Sequence, residues 1–309
     1  MLRIAHRGGA GLWPENTIEA FSNALDLGVD GFEFDVHLTE DGVLVIHHDA
    51  ALKPAIARRP DGAWLQKPTP LLKELTYAEL QAYDVGRLRP GSQYGARYPE
   101  QRPQDGARVP KLAALLELVK DAAPPGFHLF IELKTELREE EKGANPIALA
   151  EAAAALVKAH RLEAQVTFVS FDWRALLHAQ EVSPLTRTQF TTLPFSQIDP
   201  DRAGARDTEA DRWLRKASAE GAAFYGALDW RQEEGGSFAE KMLKAMARGN
   251  ADGWFAWSGD VTDETMGLAR ALGLAVSCWT VDAPGEMERL AALGVDAILT
   301  DRPDRLMSF

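Results

Sequence analysis

Glu33 and Asp35 stand two residues apart in the run Gly31-Phe32-Glu33-Phe34-Asp35-Val36-His37, with apolar residues at the alternate positions. A strand sends alternate side chains to opposite faces, so Glu33, Asp35 and His37 share one face and Phe32, Phe34 and Val36 the other. The run Phe130-Ile131-Glu132-Leu133-Lys134 repeats the pattern, with Glu132 and Lys134 opposite Ile131 and Leu133. If the apolar faces meet surrounding helices, three carboxylates point inward, where each uncompensated charge costs roughly several kcal/mol. A divalent cation would remove that cost; ion-paired core carboxylates are the structural alternative. Three hard oxygen donors suit Mg²⁺, Ca²⁺ or Mn²⁺ better than zinc, which prefers imidazole or thiolate. Cys278 is the single cysteine, which excludes an intramolecular disulfide and a thiolate metal cluster.

Other candidates lie at strand ends. His6-Arg7 closes the first strand-like run, and Pro14-Glu15-Asn16-Thr17 opens the next helix after a Gly-rich turn. That places His6 at the catalytic rim of a barrel, beside an arginine whose planar fork can grip two phosphate oxygens. Lys134 could meet a phosphate or neutralise the carboxylates. His47-His48-Asp49 ends another run, and in a regular strand the two histidines face opposite ways, so one of them enters the site; periodicity leaves open which. His37, His128, His160 and His178 read as ordinary helical or strand-edge histidines.

The elements that must position these groups alternate in kind. Strand-like runs at Leu2–Ala5, Gly31–Val36, Val43–His47, His128–Leu133, Val166–Val169, Thr186–Phe190, Gly253–Trp257, Ala275–Thr280 and Ala297–Leu299 are separated by helical patterns at Glu15–Leu27, Pro146–His160, Asp263–Leu272 and Gly285–Leu293. This is the rhythm of parallel strands joined by crossover helices, and it predicts an α/β fold, a TIM (β/α)8 barrel, with one strand more than the barrel needs. An open doubly wound sheet is disfavoured because no Gly-rich dinucleotide loop follows the first strand. Residues 51–112 break the rhythm with eight prolines around a helix-like segment at Thr76–Tyr83. They are expected to form an insertion after an early strand, within a single domain spanning 1–309, that serves as a lid or binding loop. A second irregular stretch, Asp199–Gly236, is expected over the same barrel mouth.

With 46% hydrophobic and 26% charged residues the chain has a globular composition. Its net charge of −12 works against non-specific nucleic-acid binding, so any phosphate chemistry must be local, organised by a cation or a few focused bases. No apolar run approaches a membrane-spanning length and Met1–Gly9 lacks a signal-peptide core, so no integral membrane association is expected and the protein reads as cytoplasmic.

Taken in order, His6-Arg7-Gly8, Pro14-Glu15-Asn16-Thr17, Glu33-x-Asp35-Val36 and His48-Asp49 resemble the opening signature of the glycerophosphodiester phosphodiesterase family. The similarity continues through Val109-Pro110-Lys111-Leu112, Ile131-Glu132-Leu133-Lys134, Ser170-Phe171, Trp279-Thr280-Val281-Asp282 and Thr300-Asp301. The resemblance implies a TIM barrel in which Glu33, Asp35 and Glu132 bind one divalent cation and His6 and His48 form the acid/base pair. It also implies that Arg7 and Lys134 bind the phosphate, that Trp279 lines the pocket, and that residues 51–112 cover the glycerol side. The chain departs from the family pattern at Ala50–Ala57 and over residues 200–260, which include Trp213, Trp230, Trp254 and Trp257. That side of the pocket is therefore open to a different alcohol.

The expected reaction is hydrolysis of a glycerophosphodiester, a small-molecule substrate, to an alcohol and sn-glycerol 3-phosphate. Either the substrate's 2-hydroxyl or water attacks first. Two competing readings keep the same residues and differ in what they act on. One is a lysophospholipase D-type or other phosphodiester hydrolase, and the other a non-catalytic barrel that binds a ligand or partner.

Overall fold

The computed structural model describes residues 1–202, 204, 207–221 and 223–309. Among the described residues nine strands form one sheet: β1 (Leu2–His6), β2 (Gly31–Leu38), β3 (Leu44–Ile46), β4 (His128–Leu133), β5 (Val166–Ser170), β6 (Arg187–Thr191), β7 (Gly253–Trp257), β8 (Ala275–Trp279) and β9 (Ala297–Thr300). Eight are parallel and close into a barrel, because β1 pairs with β2 on one side and with β9 on the other. The surplus strand is β3, which pairs antiparallel with β2 beyond the ring, Val36 opposite Ile46. β2 and β4 approach closely at Gly31, where a Cβ would stand 2.3 Å from the carbonyl oxygen of His128.

The outward strand faces carry the apolar residues. Phe32, Phe34, Ile131, Leu133, Phe168 and Ile298 are buried in a core shared with Ile18–Leu27, Leu112–Ala122, Pro146–His160, Trp173–Val182 and later helices. Inside the ring a second cluster, Ile4, Phe130, Val169, Phe255, Ala297 and Leu299, fills the barrel. Two residues further along the same inward face, Ile4 is followed by His6, Phe130 by Glu132 and Leu299 by Asp301. The period of two thus stacks a polar layer on an apolar plug, at the strands' C-terminal ends where barrels place their sites.

The first helix begins at Ile18, later than the Glu15 start expected from sequence. Asn16 adopts a left-handed backbone with φ 57°, and Thr17 caps the helix by accepting from the backbone N–H of Ala20 at 3.2 Å. Glu15 and Asn16 are thereby freed to face the site. Sequence periodicity also passed over Leu112–Ala122, Trp173–Val182, Glu209–Ala219 and Phe238–Arg248.

Residues 51–112 contain short helices at Tyr77–Leu80 and Gln93–Arg97 and bury Leu52, Leu65, Leu72, Leu75, Leu80, Val85 and Val109 in a small core of their own with Val45. A linker would lack such a core. In the second irregular stretch, helix Glu209–Ala219 lies beside the barrel mouth; positions 203, 205, 206 and 222 of that stretch lie outside the described residues. Among the described residues, no helix is long and apolar enough to cross a membrane.

Candidate active site

Strand register brings the inward carboxylates together. Asp35 of β2 is the register partner of Glu132 of β4, and His6 of β1 is the register partner of Glu33 of β2. Glu33, Asp35 and Glu132 each offer an oxygen within 4.8 Å of the others'. Glu33 and Asp35 are 1% and 0% exposed, so water does not screen their repulsion. Burial, then the charges of Asp35 and Glu132, push the Glu33 carboxyl up to about 8 against the pull of His6 and Arg7.

Asp35 behaves oppositely. Burial disfavours its charge, but Arg7 and Lys134 hold it well below the usual carboxylate range. Asn16 Nδ2 donates to its Oδ2 at 2.9 Å, whereas its Oδ1 is buried without a hydrogen-bond partner among the described residues. A buried acceptor left open, within a cluster of three hard oxygen donors, is what a divalent cation requires. The residues therefore fit Mg²⁺, Ca²⁺ or Mn²⁺.

The cationic groups ring these acids. Arg7 has a left-handed backbone, φ 51°, which turns the chain sharply after β1. Gly8 follows at φ 79°, where a Cβ would lie 2.9 Å from that of Ala20. From this turn Arg7 Nη1 donates to Glu15 Oε1 at 3.0 Å, and its Nε lies 3.3 Å from Asp35 Oδ2. Lys134 Nζ donates to Glu132 Oε1 at 2.9 Å and stands 3.6 Å from Asp35 Oδ1. Despite burial, Glu132 and Asp35 raise its pKa and keep it charged.

His6 lies between two acids. Its Nδ1 donates to Asp301 Oδ1 at 2.6 Å, and its Nε2 lies 3.6 Å from Glu33 Oε2. Burial favours the neutral ring, but Asp301 and Glu33 outweigh it and raise the imidazole to about 9. His48 has the reverse setting: burial, Lys134 and Arg7 lower it to about 3, with Asp49 Oδ1 3.2 Å from its Nδ1. β3 ends at Ile46, and of the two adjacent histidines His48 lines the cavity, whereas His47 is buried and does not. His37, assigned no role from sequence, lies 3.2 Å through Nε2 from the His48 carbonyl oxygen and braces that segment.

A cavity of about 500 Å³ gathers His6, Arg7, Glu33, His48, Glu132, Lys134 and Trp279. Asp35 does not line it but is fully buried against Arg7 and Lys134, which do. Trp279 Nε1 donates to the Phe255 carbonyl at 3.2 Å, and its ring meets Phe171 edge-on at 5.7 Å, so the indole is fixed as a wall. All eight residues singled out from sequence therefore converge. Four others were missed as site members: Glu15, Tyr94, Tyr98 and Asp301. Tyr94 donates to Glu15 Oε2, and Tyr98 donates to Asp301 Oδ2 at 2.9 Å, closing the insertion over the cavity. Glu15 and Asp301 stood in quoted motifs; nothing in the irregular tyrosine region marked the other two.

The family model described as glycerophosphoryl diester phosphodiesterase matches residues 6–305. A glycerophosphodiester phosphodiesterase of Caldanaerobacter subterraneus subsp. tengcongensis is 26% identical over 311 residues, covering 99% of this chain and 96% of that protein. A crystal structure from Silicibacter pomeroyi DSS-3 bearing the same family name superposes with a TM-score of 0.79 at 34% identity, covering 98% of this chain and 90% of that one. An Oleispira antarctica phosphodiesterase, determined in complex with its product sn-glycerol-3-phosphate, shares the fold with a TM-score of 0.65 at 22% identity, covering 99% and 94%.

Proposed function

The chain belongs to the glycerophosphoryl diester phosphodiesterase family, and on that premise we propose that it hydrolyses glycerophosphodiesters to an alcohol and sn-glycerol 3-phosphate with the help of one divalent cation. The observation that carries this reading is the meeting of three buried carboxylates with Arg7, Lys134, His6 and His48 in one cavity. The chain works as a single unit, with residues 51–112 as the cover.

Glu33, Asp35 and Glu132 hold the cation, which when bound polarises the phosphoryl oxygen and offsets charge developing in the transition state. Arg7 and Lys134 bind the remaining phosphate oxygens, and Trp279 confines the substrate laterally. His48, neutral beside two cations, accepts the attacking hydroxyl's proton; a bound phosphate anion offsets Lys134 and Arg7 and makes the ring more basic. His6, kept protonated by Asp301 and Glu33, delivers a proton to the leaving oxygen. The polar contacts around Glu15 suit the glycerol hydroxyls, in keeping with the product bound by the Oleispira relative.

The test is turnover of glycerophosphocholine and glycerophosphoethanolamine by chelator-stripped protein with Mg²⁺, Ca²⁺ or Mn²⁺ restored separately. Glycerol 3-phosphate released only with a cation is the expected result. Choline phosphate as product would mean the other P–O bond breaks, and no turnover with any cation would refute the reaction.

A further inference from the structure

Besides the histidines, four cationic side chains line the main cavity: Arg7, Lys53, Arg97 and Lys134. Three are matched by acids, Arg7 by Glu15 and Asp35, Lys53 by Asp49, and Lys134 by Glu132 and Asp35. Arg97 pairs with no acid among the described residues, although the chain carries a net charge of −12. The carboxylates around it are engaged elsewhere, Glu15 by Arg7 and Tyr94, Asp301 by His6 and Tyr98, and Glu100 by Arg302. What holds Arg97 is aromatic. Its Cζ lies over the rings of Tyr94 and Tyr98, 5.5 and 5.4 Å from their centroids, and the two rings meet edge-on at 5.4 Å. Both phenols are anchored on site carboxylates, which fixes this platform. Stacking orients a guanidinium through its face and leaves its N–H edges available to donate.

We propose that Arg97 is a specificity-determining residue that binds a second anionic group, a carboxylate or a phosphate, on the three-carbon unit of the substrate. The inference rests on the phosphodiesterase reading above and extends it from glycerol to acidic three-carbon units. The scissile phosphate takes Arg7 and Lys134, and Glu15 and Tyr94 stand between Arg7 and Arg97. A three-carbon unit running from the phosphate along that side presents its far carbon to Arg97. A hydroxyl on that carbon gives the guanidinium one neutral acceptor, whereas a carboxylate or phosphate gives two charged ones that match its fork. Arg97 is exposed, so the gain is modest and is screened by salt.

Calorimetric binding of glycerol 3-phosphate and 3-phosphoglycerate to the full chain in excess Mg²⁺ tests this without requiring turnover. The two ligands share a skeleton and differ in whether the far carbon is a hydroxymethyl or a carboxylate. At low ionic strength the wild type should bind 3-phosphoglycerate about fivefold more tightly. Arg97→Gln should reduce that preference to under about twofold with the unfolding temperature near wild type, because the side chain is exposed. Lys53→Gln, which removes the other exposed cation of the cavity, should keep the preference. Equal affinities in the wild type, or a preference that survives Arg97→Gln, would overturn the proposal. Glycerophosphocholine turnover measured in parallel separates the two readings: the preference without turnover refutes only the reaction, whereas turnover without the preference refutes only the role of Arg97.

Discussion

His6 Nδ1 and Asp301 Oδ1 lie 2.6 Å apart although 295 positions separate the residues in sequence. β1 and β9 are neighbours in the closed ring, so the residue ending the first strand and the residue just after the last one meet across the seam. Asp301→Asn removes a charge that raises the imidazole pKa while keeping the shape. Activity should fall about 10- to 100-fold, as for partners that orient a reactive group. A proton donor with a raised pKa is lost as pH rises through that value, so the alkaline limb of the kcat/KM profile should move to lower pH in the variant. An unmoved limb would leave Asp301 a purely structural role.

Replacing the two proposed proton-transfer groups themselves should have a larger effect. His6→Ala and His48→Ala should each lower kcat by roughly 10²–10⁴, with folding and cation binding retained. Steady-state kinetics beside a cation titration decides this, and wild-type turnover in either variant would remove that histidine from the mechanism.

Lys134 touches both charge systems, which gives Lys134→Met effects of opposite sign. Loss of its ammonium leaves Glu132 and Asp35 more negative, so the cation should bind more tightly. The phosphate loses a charge-assisted partner worth about 1.5–3 kcal/mol, so kcat/KM should fall about 10- to 100-fold even at saturating cation. Parallel losses of both affinities would indicate that the lysine acts only through local packing.

Without a cation, stability should fall as pH rises toward about 9. Glu33 is raised to about 8 and His6 to about 9, so each contributes stability fully present below its unfolded pKa and lost as pH rises through the folded value. His37 and His48, lowered to about 4 and about 3, are neutral in both states above pH 7 and do not oppose the trend. The unfolding temperature of chelated protein should therefore drop by a few degrees between pH 7 and 9. Saturating Mg²⁺ should flatten the drop, because the cation replaces the proton at Glu33, and should raise the whole curve by about 2.7 kcal/mol at a hundred times Kd. An identical slope with and without the cation would count against binding at the carboxylates.

The alternation of Glu33, Asp35 and Glu132 with bulky apolar residues was legible because a strand's period is two and burial of a carboxylate is costly. β4 and β7 begin and end where expected, and the other strands differ by one or two residues at one end or, for β3 and β6, at both. Helix Trp173–Val182 escaped notice because only Trp173, Ala175, Leu176 and Ala179 are buried in it, spaced among polar Arg174, His178, Gln180 and Glu181. The early start assigned to the first helix failed for a local reason, the left-handed turn at Asn16. Tyr94 and Tyr98 lay in a stretch with no periodicity, positioned by tertiary bonds that reach back to Glu15 and forward to Asp301, and no local pattern encodes such partners.

Those two tyrosines make the cover part of the machinery beneath it. Glu15 and Asp301, which they grip, also hold the guanidinium of Arg7 and the imidazole of His6. A displacement of the insertion that broke both bonds would take a donor from each acid and loosen its hold on the cation beside it. One pair of carboxylates thus ties the insertion to both cationic groups, so a change at either tyrosine would be felt at Arg7 or His6.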